Sequence, residues 1–133
     1  MLRGLTTVSF YADDLAEAQR WYTTFLGFEP YYVRQGYIEF RIGDYQHELG
    51  FIDRRYAPTG APQGPAGEVV FWHVDDVAAT VARLLALGAK EYEPITERGE
   101  GFVTASVVDP FGNILGVMYN AHYLEVFGKT GGV

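Results

Sequence analysis

The chain of 133 residues is predicted to be an α+β protein built from two copies of a β-α-β-β-β unit. Three observations predict this fold class. Two strand-like segments each end in Asp-Asp, each is followed by apolar residues at helical spacing, and each helical segment ends at Leu-Gly. The strand-like segments begin at Thr7 and Val69, and the Leu-Gly pairs end at Gly27 and Gly88. We therefore treat the two halves as modules of the same kind.

The helix of each module is predicted to start at the second aspartate of its Asp-Asp pair. Asp14 can accept a hydrogen bond from the free N–H groups of the first turn, and Glu17 stands three residues later, as in a capping box. Asp76 takes the same place in the second module, and Gly27 and Gly88 suit the left-handed residue that ends a helix. The apolar faces consist of Leu15, Ala18, Trp21, Tyr22 and Phe25 in the first helix and Val77, Val81, Leu84 and Leu85 in the second.

Three strand segments are expected after each helix. They are about 29–34, 36–42 and 46–53 in the first module and about 90–95, 101–108 and 113–120 in the second. Residues 1–133 are expected to form a single domain, made of module one at about 5–53, a linker at 54–67, module two at about 68–120 and a tail at 121–133. The linker is rich in Pro and Gly and is interpreted as a connector, with a cover over the mouth of a pocket as the alternative.

The sequence Asp-Pro-Phe-Gly-Asn at 109–113 predicts a turn between the last two strands, so Asp109 is given a turn role rather than a catalytic one. Residues 128–133 are rich in glycine and are expected to be loose. A homodimer is expected, although the tail could equally pack on its own subunit. The side chains that could supply the dimer contact are Trp21, Tyr22, Tyr31, Tyr32 and residues 123–127.

The composition excludes several classes of function. A formal net charge of −7 would repel nucleic acid and anionic lipid, so neither is an expected partner. The absence of cysteine excludes disulfides, thiol catalysis and thiolate metal sites. The N-terminus lacks the pattern of a secretion signal and no apolar stretch is long enough to span a membrane, so a cytoplasmic protein is expected.

The repeated β-α-β-β-β unit, the Asp-Asp helix starts, the Leu-Gly helix ends and the turn at 109–113 together resemble the vicinal oxygen chelate superfamily, which includes glyoxalases, bleomycin resistance proteins and extradiol dioxygenases. The resemblance runs from about Leu5 to Tyr119. It implies that the two modules pair into a cup-shaped mixed sheet with helices outside. It also implies that the cup holds a divalent metal or, in the antibiotic-binding branch, only a ligand.

The resemblance implies metal ligands on the first and last strand of each module, typically histidine and glutamate. The matching positions here are Thr7, Glu48, Val69 and Gly116, of which Glu48 alone retains a family ligand. One carboxylate does not hold a catalytic divalent ion tightly, so no metal and no other cofactor is expected. The chain has three histidines, His47, His73 and His122, and strand geometry places them poorly for a metal triad.

Strand alternation predicts which side chains point into the cup, with Ile38, Phe40 and Ile42 as the apolar set that faces the helix. They combine aromatic and small polar groups with one basic group, as a ligand pocket requires. The predicted ligand-binding residues are Thr7, Ser9, Tyr11, Tyr37, Glu39, Arg41, Glu48, Phe71, His73, Phe102, Thr104, Ser106 and Met118, and the glycines at 50 and 116 and Val69 share their face.

Each of these residues also has a simpler interpretation. For Tyr11 and Tyr37 simple packing is an equal alternative, and for Glu39 and Arg41 the alternative is a solvated pair at the rim. Arg41 inside a pocket would favour a carboxylate or phosphate ligand.

Glu48 and His73 are the candidates for acid–base catalysis, against hydrogen-bonded structural roles for both. The sequence leaves open whether the protein is an enzyme. The favoured function is metal-free binding of an aromatic or carboxylate-bearing small molecule. The alternatives are a lyase, isomerase or dioxygenase that uses a weak or remodelled metal site at Glu48, a metal-independent enzyme, and a non-catalytic scaffold for partners.

Overall fold

The computed structural model describes residues 1–129 and shows an α+β fold with two four-stranded mixed sheets. The chain divides into two compact units, Met1–Ala61 and a second that begins at Pro62, so the boundary lies inside the predicted linker. The first unit contains β1 (Thr7–Ala12), α1 (Leu15–Leu26), β2 (Tyr32–Arg34), β3 (Tyr37–Ile42), β4 (His47–Asp53) and a 3-10 turn (Arg54–Tyr56). The second contains β5 (Phe71–His73), α2 (Val77–Ala86), β6 (Lys90–Gly99), β7 (Phe102–Val108), β8 (Ile114–Asn120) and α3 (Ala121–Lys129).

The two sheets have the same topology. The strand order is β1-β4-β3-β2 in the first sheet and β5-β8-β7-β6 in the second. In each sheet the first strand of the unit pairs parallel with the last strand, and the other neighbours are antiparallel. This confirms the predicted β-α-β-β-β order in both halves. Neither sheet closes on itself.

Both predicted helix starts are confirmed by their hydrogen bonds. The Glu17 backbone N–H donates to Asp14 Oδ1 at 3.1 Å, and the Ala79 N–H donates to Asp76 Oδ1 at 2.9 Å. A cap of this kind stabilises a helix by about 1 kcal/mol. The Glu17 carboxylate forms an ion pair with Arg20 at 2.7 Å.

The apolar core of the first unit lies between α1 and one face of its sheet. Tyr22 of α1 is fully buried, and its ring lies 4.5 Å from the ring of Phe51 and 6.5 Å from that of Phe40. Ile38 and Phe40, predicted to face the helix, are 2% and 0% exposed. The opposite face of β3 and β4 is therefore left for polar side chains, because neighbours along a strand point to opposite faces.

The second unit buries three residues of the predicted stripe of α2, namely Val77, Val81 and Leu84 at 6%, 9% and 0% exposure. The prediction is wrong for Leu85, which is 43% exposed. Its edge strand β6 runs past the predicted end at residue 95 to Gly99. Register shifts on both sides of Glu93 accommodate Pro94, which cannot donate a backbone hydrogen bond.

The C-terminal tail is helical where it was expected to become loose. Gly128 lies inside α3, so that part of the prediction is wrong, and residues 130–133 lie outside the described part of the chain. The Tyr123 N–H donates to Asn120 Oδ1 at 3.0 Å, and Lys129 pairs with Glu125 at 2.8 Å. These contacts outweigh the modest helix penalty of one glycine.

No helix within residues 1–129 has the length and apolar character needed to cross a membrane.

Candidate ligand-binding site on the first sheet

The pairing of β4 with β1 and β3 places three functional side chains in one row. Glu48 pairs with Thr7 on one side and with Arg41 on the other. Two residues along β4, Gly50 pairs with Glu39 in the next row. Residues two apart share a face of a sheet, and this face is opposite to the apolar core. We call it the polar face, formed by Thr7, Tyr37, Glu39, Arg41, Glu48 and Gly50 together with Tyr31.

Glu39 is the buried carboxylate of the polar face, with 8% exposure. The Tyr31 hydroxyl donates to its Oε2, and the Tyr37 hydroxyl donates to its Oε1. Burial of a charged group is tolerated where hydrogen bonds replace water, and here each oxygen has a phenol donor. The alternative of a solvated Glu39–Arg41 pair is contradicted, since Glu39 is buried.

The two phenols are held in their protonated form by this environment. Burial, followed by the hydrogen bond to Glu39, raises the pKa of Tyr37 above the ordinary value for a phenol. The hydrogen bond to Glu39, followed by burial, raises the pKa of Tyr31. Both groups therefore remain fixed hydrogen-bond donors at neutral pH.

Glu48 has one occupied oxygen and one with spare capacity. Thr7 Oγ1 donates to Glu48 Oε1 at 2.5 Å. The Tyr31 oxygen lies 3.4 Å from Glu48 Oε2. Because a phenol has one hydrogen and Glu39 makes the much shorter contact with it, Glu48 Oε2 can accept a further hydrogen bond.

Gly50 gives Tyr37 the space to lie over the sheet. A Cβ atom at position 50 would lie 2.4 Å from the Tyr37 hydroxyl oxygen and 2.8 Å from the nearest ring carbon. The Tyr37 side chain therefore lies against β4 at Gly50, and its hydroxyl reaches Glu39. The Tyr37 ring packs over Gly50 and its hydroxyl donates to Glu39, which fits the packing interpretation. A ligand contact of Tyr37 stays a prediction.

Tyr31 is the residue of this site that sequence reasoning missed. It lies within the predicted strand 29–34 but precedes the observed β2, and it was considered only for a dimer contact. Its backbone N–H donates to the Glu39 carbonyl at 3.1 Å, which fixes it beside β3. The Arg41 guanidinium lies over its ring, 3.9 Å from the centroid. Tyr31 as a residue is 45% exposed, so part of its side chain is accessible to a ligand.

The other predicted residues of the first unit take a smaller part. Ser9 pairs with Gly50 and is exposed, and Tyr11 pairs with Ile52 and is half-buried.

In the second unit the absence of a side chain at Gly116 lets neighbouring atoms approach closely. A Cβ atom there would lie 2.6 Å from the Val70 carbonyl oxygen, 2.8 Å from a Phe71 ring carbon and 2.9 Å from Val69 Cγ1. Gly116 pairs with Phe71, which stands five residues before the capping aspartate, as Ser9 does in the first unit. Sheet register thus matches Gly116 to Gly50, whereas sequence spacing matched it to Glu48.

His73 is held at the end of β8 by hydrogen bonds at both ring nitrogens. The Asn120 N–H donates to His73 Nδ1 at 3.1 Å, and Nε2 lies 3.3 Å from Asp75 Oδ1. Since Nδ1 accepts, Nε2 carries the proton and donates to Asp75. The ring also stacks on Tyr123 at 4.7 Å. This geometry favours the structural interpretation over a general base.

The remaining predicted residues of the second unit have local partners. Ser106 is fully buried and donates to Glu93 at 3.2 Å, and Arg98 donates to Thr104 at 3.0 Å. Met118 accepts a weak hydrogen bond from the Asn120 side chain at 3.6 Å, and Phe102 is half-buried.

Asp109 has the predicted turn role. Its Oδ1 accepts the backbone N–H groups of Phe111 at 2.9 Å and Asn113 at 2.8 Å, and the residue is 3% exposed.

The residues at the four positions that sequence spacing matched to family ligands do not fit a catalytic divalent ion. Val69 and Gly116 have no side-chain donor, and the Thr7 hydroxyl is a neutral donor already bound to Glu48. Among residues 1–129 no group of three or more His, Asp or Glu side chains is placed to hold a metal. A tightly bound catalytic ion usually has at least three protein ligands.

Residues 4–117 match the family model described as Glyoxalase/Bleomycin resistance protein/Dioxygenase superfamily. The chain therefore belongs to this superfamily, a group built on a small-molecule-binding fold. A search of curated proteins found no match.

Solved structures share the fold at low sequence identity. A glyoxalase-related enzyme from Fulvimarina pelagi has a TM-score of 0.71 at 20% identity, covering 90% of this chain and 89% of its own. A protein from Agrobacterium tumefaciens has a TM-score of 0.73 at 20% identity, covering 90% and 99%. A bleomycin resistance determinant encoded on transposon Tn5 has a TM-score of 0.63 at 20% identity, also covering 90% and 99%. These likenesses show the fold.

Proposed function

We propose that this chain is a small-molecule binding protein of the glyoxalase/bleomycin-resistance type that takes an aromatic ligand on the polar face without a catalytic metal. The observation that carries the proposal is the fixed set of groups around Tyr31. An exposed aromatic ring, a cation and a carboxylate with spare acceptor capacity lie together. Binding sites for small molecules typically combine aromatic walls with a few directed polar groups of this kind.

The arrangement around Glu39 supports a site that is formed before the ligand arrives. Because the buried carboxylate holds both phenols, neither ring has to be ordered when a ligand binds. Preorganisation of this type lowers the entropic cost of binding. Glu48 and Arg41 can then select a ligand by its charge.

The metal-free part of the proposal is supported by the donors that are present. Glu48 alone retains a carboxylate at a family ligand position, and one of its oxygens accepts from Thr7. A lyase, isomerase or dioxygenase with a remodelled metal site at Glu48 would need further ligands close to it. Gly116 has no side-chain donor, and its close contacts with neighbouring atoms leave no room for an added Cβ.

The experiment is a backbone NMR titration of the EDTA-treated protein with L-phenylalanine, 2-phenylethylamine and 3-phenylpropionate. At least one of the three is expected to shift resonances of Thr7, Glu39, Arg41 and Glu48. Tyr31→Ala is expected to weaken that binding at least tenfold, because it removes the ring and frees Arg41. Tyr92→Ala is the matched control, since Tyr92 is 47% exposed on β6 of the other unit.

The proposal fails if none of the three compounds perturbs the polar face. It also fails in its metal-free part if the purified protein carries one divalent ion per chain and binding disappears with EDTA.

A further inference from the structure

Arg41 and Glu48 are neighbours of opposite charge that do not neutralise each other. They are directly paired across the antiparallel strands β3 and β4 and share the polar face. Side chains in such positions start about 5 Å apart and could readily meet. Within residues 1–129 Arg41 makes no ion pair with any carboxylate, where an ion pair means a nitrogen–oxygen distance of at most 4.0 Å.

Each of these two charges is held by another neighbour. The Arg41 guanidinium lies over the Tyr31 ring, 3.9 Å from the centroid, and hydrogen-bonds the Tyr31 hydroxyl. A guanidinium has five N–H donors, so others remain for a planar anion. Glu48 is fixed by Thr7 through Oε1 and keeps Oε2 as an acceptor. The polar face therefore presents a separated positive and negative group on adjacent strands.

The other carboxylate of the face does not disturb this arrangement. Both oxygens of Glu39 accept phenol hydroxyls, and the side chain is buried. Glu39 thus positions Tyr31 and Tyr37, and Glu48 is the carboxylate that a ligand meets.

We infer that the site selects a zwitterion: an aromatic small molecule with a carboxylate and an ammonium group on the same carbon atom, such as an aromatic α-amino acid. The ligand carboxylate binds the Arg41 guanidinium, and the ligand ammonium donates to Glu48 Oε2. The aromatic part contacts the exposed Tyr31 ring. The inference rests on the proposed function and names the ligand class of that same site.

Affinities of three compounds with the same ring test the inference, measured by calorimetry on the full chain. L-Phenylalanine carries both charges, 2-phenylethylamine only the ammonium and 3-phenylpropionate only the carboxylate. L-Phenylalanine is expected to bind about tenfold tighter than the better of the other two, which corresponds to about 1.4 kcal/mol.

Two substitutions assign each charge to its partner. Arg41→Gln is expected to weaken L-phenylalanine and 3-phenylpropionate about tenfold and to leave 2-phenylethylamine within about twofold. Glu48→Gln is expected to weaken L-phenylalanine and 2-phenylethylamine and to spare 3-phenylpropionate. Glu17→Gln and Arg20→Gln are matched controls, because that ion pair is exposed on α1, which packs on the opposite face of the sheet.

The outcomes separate the inference from the proposed function. If the singly charged compounds shift the polar face but L-phenylalanine binds no tighter than they do, the zwitterion inference is wrong and the binding site stands. If Arg41→Gln and Glu48→Gln weaken all three compounds equally, charge matching is also refuted. If none of the three binds, both the inference and the proposed function fail.

Discussion

Substitution of Gly50 by alanine tests the contact that builds the polar face. The added Cβ would lie 2.4 Å from the Tyr37 hydroxyl oxygen and within 2.9 Å of two ring carbons. Distances below 3.0 Å cannot be kept, so the Tyr37 ring has to move. Its hydroxyl then leaves Glu39, and a buried carboxylate oxygen loses its donor.

The magnitude follows from two opposing effects. Loss of a hydrogen bond to a charged group costs about 1.5–3 kcal/mol of folding free energy. Replacement of glycine by alanine in a strand returns about 0.5–1 kcal/mol, because the unfolded chain has less freedom to lose. We expect Gly50→Ala to lower the free energy of unfolding by about 1–2 kcal/mol, and the melting temperature by about 3–8 °C.

A double-mutant cycle with Tyr37→Ala isolates the contact, measured by urea unfolding. Once the ring is absent, Gly50→Ala should stabilise the protein by about 0.5–1 kcal/mol, giving a coupling of about 2 kcal/mol. Gly64→Ala is the control, since a Cβ at Gly64 meets no atom within 4 Å. Equal effects of Gly50→Ala with and without Tyr37 would refute the reasoning.

Three further predictions follow from the same geometry. Gly116→Ala should destabilise the protein by about 1–3 kcal/mol in urea, because its Cβ would meet the Val70 carbonyl oxygen at 2.6 Å; an unchanged midpoint would show that this strand yields easily. Tyr37→Phe should flatten the loss of stability above pH 10. Because the pKa of Tyr37 is raised in the folded protein, the unfolded chain releases this proton at lower pH. The contribution of Tyr37 to folding stability is therefore complete below about pH 10 and is lost as the pH rises further. Parallel stability curves of wild type and variant between pH 8 and 11 would contradict that. Asp109→Ala should cost about 1–3 kcal/mol, since buried N–H groups of the turn lose their acceptor, and a change below 0.5 kcal/mol by thermal unfolding would count against it.

The fold was accessible from the sequence because its signals are local and repeated. Asp14 and Asp76 cap helices through backbone N–H groups three residues away, and apolar spacing indicates which face of each helix is buried. Asp109 was also predictable, since its partners lie within four residues. Such contacts are specified by short stretches of chain.

The site was only partly accessible because its contacts join distant parts of the chain. Strand alternation correctly separated Glu39 from Ile38 and Phe40, but it could not show that Glu39 is buried under two phenols. Tyr31 lies just before the observed β2, and its place on the polar face depends on its backbone contact with Glu39 of β3, which strand periodicity does not mark.

The register of the strands explains why sequence spacing matched Gly116 to Glu48 rather than to Gly50. The offset between β5 and β8 differs from that between β1 and β4, and sequence spacing alone carries no information about such an offset.

The central claim is that the polar face binds an aromatic small molecule without a catalytic metal. The most direct test is the NMR titration of metal-stripped protein with the three phenyl compounds, repeated after addition of one equivalent of Zn²⁺ per chain. We predict that resonances of Glu48 and Arg41 shift with the same apparent affinity in both samples. Shifts that occur only after Zn²⁺ is added would contradict the claim and favour a metal-assisted enzyme.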